Sequence, residues 1–181
     1  MPMTHVCLLR GINVGGRHKL PMADLVKMFE AAGCRDVRHY IQSGNVVFSA
    51  GRSVAAAVPG TVGRAIFDSF GFDAPLILRT ASAFTGIIHR HPFVEICDDP
   101  RQLFVGFLAD RPTAGAVRRM DPSRSPHDRM EVHGGEIYLM LTKGVSGSRL
   151  TSDWLDRTLN TTCTVRNWQT VNRLAAMLAS V

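Results

Sequence analysis

The fold is decided by the stretch HVCLLRGINVGGRHKLPM, which spans residues 5–22. Its apolar run from Val6 to Leu9 is short and is closed by a charge and a glycine, which is typical of a strand covered on both faces. Pro21 suits the first position of a helix, where its missing N–H costs nothing. Apolar residues then recur at helical spacing as far as Gly33. The stretch therefore predicts a buried strand, a basic glycine loop and an amphipathic helix.

The loop in this stretch has the chemistry of an anion site. No Ser, Thr, Asp or Asn directly precedes Pro21, so the first N–H groups of the helix lack a side-chain partner. Vacant N–H groups, the positive end of the helix dipole and clustered cations together favour a bound anion. A solvated basic turn is the alternative. The predicted anion-binding residues are Arg10, Asn13, Gly15, Gly16, Arg17 and Lys19.

Two familiar phosphate motifs are absent from this loop. Gly11 and Gly16 have the spacing of the two P-loop glycines, but Arg17 and His18 follow in place of the lysine and the hydroxyl residue of that motif. The stretch also contains no G-x-G-x-x-G. A P-loop and a dinucleotide-binding fingerprint are therefore both excluded.

The rest of the chain predicts the element order β-α-β-β-α-β twice. Gln42 to Asn45 and Gly134-Gly135 separate strand-like runs and predict two hairpins. A helix over residues 54–70 is interrupted by Pro59, which either kinks the helix or begins it. We expect an α+β protein of two ferredoxin-like subdomains, with mainly antiparallel sheets and helices packed on one face. The expected domains are residues 1–98 and 99–181.

Composition limits the classes of protein and ligand. The chain has 181 residues, of which 45% are hydrophobic, and a formal net charge of +6. That charge is compatible with a phosphorylated ligand or nucleic acid. The four cysteines are far apart and form no C-x-x-C, which is typical of reduced, structural cysteines in a cytoplasmic protein. We expect no membrane segment, no metal and no cofactor.

Two polar segments lie in predicted turns and loops. One is the hairpin turn at residues 43–45. The other joins a strand to a helix, and its small residues and hydroxyls can form a backbone nest for an anion, with a flexible solvated loop as the alternative. The candidate residues of these segments are Ser43, Gly44, Asn45, Ser146, Ser148 and Arg149.

A third polar segment begins the last predicted helix. Asn167 is expected to cap the helix and Trp168 to pack against the core. These structural roles leave Arg166 as the member of the segment that is available for binding.

The chain resembles a bacterial family, domain of unknown function 1697, over essentially its whole length. The resemblance rests on the segments LLRGINVGGRHKLPMADL, YIQSGNVVFSA, GFDAPLILRT, HPF and GSRLTSDWLDRTLNTTCTVRNWQTVNRL. Arg149 stands where the family usually has lysine, Gln169 where asparagine is usual, and Pro59 within a helix that the family runs through. The resemblance implies a cytoplasmic protein of two ferredoxin-like subdomains and implies no activity.

Three hypotheses about function follow. The first is a binding module for a phosphate-bearing ligand or nucleic acid. The second is a small-molecule enzyme in which Asn13, Ser43 and Asn45 converge on a site between the two halves, although no acid–base pair or nucleophile is recognisable. The third is a protein-interaction or structural role.

Overall fold

The computed structural model describes residues 3–180 and contains two four-stranded antiparallel sheets. The first sheet has the strand order β2-β3-β1-β4 and the second β6-β7-β5-β8. Each order is that of a ferredoxin-like β-α-β-β-α-β unit, so the predicted fold class is confirmed. The strands are β1 Met3–Leu9, β2 Arg35–Tyr40, β3 Asn45–Ala50, β4 Leu76–Thr80, β5 Leu103–Leu108, β6 Arg129–His133, β7 Glu136–Met140 and β8 Cys163–Asn167.

Seven α-helices connect or follow these strands within the described residues. They are α1 Met22–Ala31, α2 Arg52–Phe70, α3 Ala81–His89, α4 Ala114–Arg118, α5 Gly144–Gly147, α6 Ser152–Leu159 and α7 Trp168–Ala179. None of them is long and apolar enough to cross a membrane. The short helix α5 lies in a segment that the sequence predicts as a loop.

The chain folds into two compact units. The first comprises the residues up to Thr85 together with those from Leu174 onward, and the second is Gly86–Arg173. The boundaries therefore fall inside α3 and α7. The division predicted between residues 98 and 99 stays a prediction.

The first unit packs α1 and α2 on one face of its sheet. Phe29 of α1 and Phe48 of β3 are fully buried, and their rings tilt against each other with centroids 5.3 Å apart. Replacing either ring with alanine would cost about 3–5 kcal/mol.

At the end of α7, Arg38 Nη2 on β2 donates a hydrogen bond to Met177 O at 2.8 Å. A cation beside a helix C-terminus stabilises the helix, because the helix dipole is negative at that end.

Pro59 does not interrupt α2, which runs without a break over 19 residues. The interpretation that the helix begins at Pro59 is therefore wrong. Buried residues recur along one face on both sides of the proline, at Ala55, Val58, Val62 and Ile66. Their burial offsets the cost of about 3 kcal/mol that proline carries inside a helix.

The second unit has its own core between its sheet and α6. Leu155 and Leu159 of α6 are buried against Ile137 and Leu139 of β7. Thr151 Oγ1 caps α6 by accepting a hydrogen bond from Trp154 N at 3.3 Å. The helix ends at Asn160, whose left-handed φ of 54° suits a C-cap. All four cysteines are free, as the sequence predicts.

Candidate functional site

The basic loop of the first unit is built around a tight turn from Val14 to Arg17. Arg17 N donates a hydrogen bond to Val14 O at 3.0 Å. The two central residues, Gly15 and Gly16, have φ of 58° and 76°, which is the pattern of a type I′ turn. A Cβ atom at either glycine would meet nothing within 4 Å. The tip of the loop is therefore defined by backbone conformation and is open to solvent.

Asn13 fastens this loop to the β2–β3 turn. Its Nδ2 donates hydrogen bonds to Leu20 O at 3.0 Å and to Gln42 O at 2.8 Å, and its Oδ1 accepts one from Leu20 N at 2.8 Å. Asn13 has a φ of 55°, in the left-handed region where asparagine is enriched. The amide thus joins the two segments that the sequence singles out first.

Two cations of the loop precede the start of α1 along the chain. Arg17 and Lys19 are exposed, and neither has an ion-pair partner among residues 3–180. The His18 ring stacks on Phe72 with centroids 4.6 Å apart. The helix begins at Met22, one residue later than predicted, and Pro21 is an N-cap without a side-chain hydrogen bond. The uncapped helix start is therefore confirmed, whereas anion binding by this loop stays a prediction.

The turn at residues 41–45 is held by its own polar groups. Leu9 N donates to Gly44 O at 2.8 Å, and the buried Asn45 donates through Nδ2 to Tyr40 O at 3.1 Å and to Ser43 Oγ at 2.9 Å. A Cβ atom at Gly44 would lie 2.6 Å from Leu9 Cβ. The Ser43-Gly44-Asn45 segment therefore has a clear structural role, because it holds the turn between β2 and β3 against the end of β1.

In the second unit, Asp128 gathers three segments around its carboxylate. Its Oδ2 accepts hydrogen bonds from Ser125 Oγ at 2.7 Å and Ser148 Oγ at 2.6 Å. Its Oδ1 accepts from Thr142 N at 3.0 Å and Thr142 Oγ1 at 3.3 Å. The half-buried carboxylate thereby pins the loop that follows β7 to the segment that precedes β6.

A cavity of about 390 Å³ opens beside this carboxylate, and we call it the Asp128 pocket. It brings Arg149, a predicted candidate residue, together with residues that sequence reasoning did not select. Its lining consists of Ser125, Pro126, His127, Asp128, Thr142, Lys143, Gly147 and Arg149. The other two candidate residues of this loop do not line the pocket: Ser148 is buried and donates a hydrogen bond to Asp128, and Ser146 is exposed.

The pocket carries more positive than negative charge. Lys143 and Arg149 are both exposed and form no ion pair with any described residue. Arg124 braces the loop beneath Arg149, because its Nε donates to Arg149 O at 2.9 Å while its guanidinium lies 4.9 Å from the centre of the Trp154 ring. The backbone that carries the Arg149 cation is thus held in place.

The hydrogen bonds to Asp128 also set its protonation. Burial by itself raises the pKa of the carboxyl, but the hydrogen bonds from Ser148, Ser125 and Thr142 outweigh burial and lower the pKa below its usual range. Asp128 is therefore ionised at neutral pH and is a weak base.

The Arg166-Asn167-Trp168 segment is largely structural. Asn167 Oδ1 caps α7 by accepting from Thr170 N at 2.8 Å, as predicted. The Trp168 ring meets the buried His91 ring edge-on with centroids 4.8 Å apart. Arg166 is 9% exposed and its Nη1 donates to Thr164 Oγ1 at 2.7 Å and to Val165 O at 3.0 Å.

Sequence reasoning missed the centre of the second site. Asp128 and Ser125 belong to no motif. They lie close to Ser148 only because the hairpin of β6 and β7, which separates them from it in the chain, brings the two segments together. The run Ser125-Pro126-His127-Asp128 is a polar turn just before a strand, which was the available indication that a side chain there organises a loop.

Comparison with known proteins places the chain in a family. A model of the family described as Protein of unknown function (DUF1697) matches residues 3–138. The solved structure of the conserved bacterial protein SP0830 from Streptococcus pneumoniae shares the fold with a TM-score of 0.70 at 23% identity, and the similarity covers 98% of this chain and 99% of that one. No protein with a curated description matches significantly. Since the family model spans most of the sequence, this chain belongs to the DUF1697 family.

Proposed function

We propose that the protein is a binding module for a small phosphate-bearing ligand, and that the Asp128 pocket is where the ligand binds. The observation that carries the proposal is the pair Lys143 and Arg149, two cations that line one cavity and have no ion-pair partner within residues 3–180. An arginine fork and a lysine ammonium are the groups that bind phosphate most readily in proteins.

The neighbouring Asp128 leaves those cations available. A carboxylate offers about four lone-pair positions, and Asp128 accepts four hydrogen bonds from two serines and one threonine. Since neutral donors already surround the carboxylate, it forms no salt bridge with Lys143 or Arg149.

The same arrangement favours binding over catalysis. Ser125 and Ser148 both donate to a carboxylate whose pKa is lowered. A general base works best when its pKa lies near the operating pH, so Asp128 is poorly matched to activate either hydroxyl. The enzyme hypothesis therefore receives no support from this pocket.

Calorimetric titration with inorganic pyrophosphate in low salt tests the proposal. We expect saturable binding that weakens about tenfold or more in Arg149→Gln, since a charge-assisted hydrogen bond is worth about 1.5–3 kcal/mol. Arg157→Gln removes an exposed arginine of the same unit outside the pocket and is the control. Absence of binding, or equal weakening in the control, contradicts the proposal.

The basic loop of the first unit provides a second arm of this experiment. If Arg17→Gln combined with Lys19→Gln abolishes binding while Lys143→Gln and Arg149→Gln have no effect, the ligand binds at the start of α1 and the assignment to the Asp128 pocket is wrong. A single-stranded oligonucleotide tests the nucleic-acid alternative. Its affinity would fall linearly with the logarithm of salt concentration, with a slope that counts the phosphates contacted.

A further inference from the structure

A second cavity adjoins the Asp128 pocket within the same unit, and we call it the β6 cavity. Its volume is about 260 Å³, and both Ser125 and Asp128 line the two cavities in common. The other residues that line the β6 cavity are Phe93, Pro122, Arg129, Met130, Glu131 and Leu150. A ligand held in the Asp128 pocket therefore has space to extend past Ser125 and Asp128 into the β6 cavity.

The β6 cavity runs along the edge of β6. Arg129, Met130 and Glu131 line it in succession, although the side chains of successive strand residues point to opposite faces of the sheet. Three residues in a row share one cavity when the cavity follows the strand edge and contacts the backbone. Every second residue of an antiparallel edge strand turns its N–H and C=O away from the neighbouring strand. At least one N–H and one C=O of this stretch therefore point to the open edge.

That edge has no partner strand among the described residues. β6 is the outermost strand of its sheet and pairs only with β7, in an unbroken register from Arg129 to His133. The edge strand β2 of the first sheet differs, because a register shift between Arg35 and Arg38 interrupts its pairing. Irregularities of this kind protect a sheet edge from additional strands. The edge of β6 lacks such an irregularity and can accept a further strand.

The charges of β6 disfavour a second copy of this chain as that further strand. Arg129, Glu131 and His133 are exposed and alternate with half-buried residues, so their side chains lie on one face of the sheet. In-register antiparallel pairing of two β6 strands would place Glu131 directly opposite Glu131 of the other copy. Like charges in that position destabilise a strand pair.

The adjoining Asp128 pocket indicates the chemistry of a better partner. Its cations Lys143 and Arg149 have no ion-pair partner within residues 3–180. The pocket lies at the N-terminal end of β6, because residues 125–128 line it and directly precede the strand. Phe93 and Leu150, which are 7% and 5% exposed, contribute apolar surface to the β6 cavity. An extended segment with apolar residues and a negative group near one end complements these features.

We infer that the ligand of the Asp128 pocket is a short phosphorylated peptide that adds a strand to the edge of β6. The inference rests on the proposed function, since the phosphate binds Lys143 and Arg149. The main chain of the peptide exchanges hydrogen bonds with the outward N–H and C=O groups of β6, which is the chemistry of strand addition. The peptide runs antiparallel to β6, as all neighbouring strands of this sheet do. This direction places the phosphorylated residue near the C-terminal end of the peptide.

Calorimetric titration of the full chain with the peptide acetyl-TVTVSG-amide, phosphorylated on its serine, tests this inference. We expect the peptide to bind about tenfold or more tightly than free O-phosphoserine, because main-chain hydrogen bonds add to the phosphate contacts. Arg149→Gln should weaken binding of the peptide about tenfold or more, whereas the control Arg157→Gln should leave it unchanged. Inorganic pyrophosphate should displace the peptide, since both occupy the Asp128 pocket.

Methylation of the peptide backbone separates strand addition from other contacts. Two versions of the phosphopeptide carry N-methyl groups on alternate residues, one at odd and one at even positions, so only one version loses the N–H groups that face β6. We expect that version alone to bind no better than phosphoserine. Equal affinity of phosphopeptide and phosphoserine, equal loss in both methylated versions, or equal affinity of the unphosphorylated peptide would overturn the inference. Saturable binding of pyrophosphate that depends on Arg149 would show in each case that the proposed function itself stands.

Discussion

Two polar loops of this molecule are each held in place by the hydrogen bonds of one side chain, and the two side chains differ in charge. In the first unit the neutral amide of Asn13 makes three hydrogen bonds to backbone groups of the loop and the β2–β3 turn. In the second unit the carboxylate of Asp128 accepts four, three of them from hydroxyls. The hydrogen bonds of a neutral amide do not depend on pH. Those of a carboxylate depend on its protonation, and its charge also changes the electrostatics of the surface beside it.

The largest effect is expected at the point where the first loop meets its turn. Gly44→Ala should destabilise the protein by about 3 kcal/mol, because the residue has a φ of 74° and a Cβ would lie 2.6 Å from Leu9 Cβ. Gly15→Ala has a similar positive φ with open space around it, so it should cost only about 1 kcal/mol. Urea unfolding of both variants measures the difference, and equal losses would show that the close approach at Gly44 is unimportant.

The next largest loss of stability is expected when the neutral side chain that holds the first loop is given a charge. Asn13→Asp puts a carboxylate oxygen where Nδ2 now faces Leu20 O and Gln42 O, and should cost about 2–3 kcal/mol at neutral pH. Protonation of the new carboxyl restores one donor, so the loss should shrink as the pH falls. Thermal unfolding at several pH values checks this, and a loss independent of pH would contradict the assigned hydrogen bonds.

Asp128→Asn should cost about 1–2 kcal/mol at pH 7, since it removes charge from four hydrogen bonds while keeping the shape of the side chain. Because the pKa of folded Asp128 is lowered, the carboxylate contributes stability that is present above the unfolded pKa of about 3.9 and is lost as the pH falls through the folded pKa. The gap between wild type and variant in urea unfolding should therefore close in acid. Asp98→Asn, at an exposed aspartate of the same unit, is the control and should show no such gap.

The smallest effect on stability is expected from the cations beside Asp128. Lys143→Gln and Arg149→Gln remove exposed charges that pair with no acidic group in the described part of the chain. Each should change the free energy of unfolding by less than about 0.5 kcal/mol. If either variant is destabilised by more than about 1 kcal/mol in urea unfolding, the residue supports the fold and its availability for a ligand is in doubt.

The sequence predicts the fold well because the information that determines it is local. Apolar runs, the glycines of the two hairpins and the caps at Thr151 and Asn167 all act within a few residues. Pro59 is the exception, because the burial of one continuous face of α2 outweighs the local preference of proline to end a helix.

The candidate sites were less accessible to sequence reasoning. Asn13, Gly44 and Asn45 stand out as polar and glycine residues in loops, yet their groups bond to the backbone of neighbouring segments. Asp128 does not stand out, because its partners lie 3, 14 and 20 residues away along the chain. A contact between segments that are distant in sequence leaves no periodic or short-range pattern to recognise.

The most direct test of ligand binding by the Asp128 pocket is an anomalous difference map from a crystal soaked in tungstate, a heavy-atom analogue of phosphate. The account predicts a peak between Lys143 and Arg149 that disappears in a crystal of the variant carrying Lys143→Gln and Arg149→Gln. A map with no peak in that pocket, or one whose peak persists in the double variant, would contradict it.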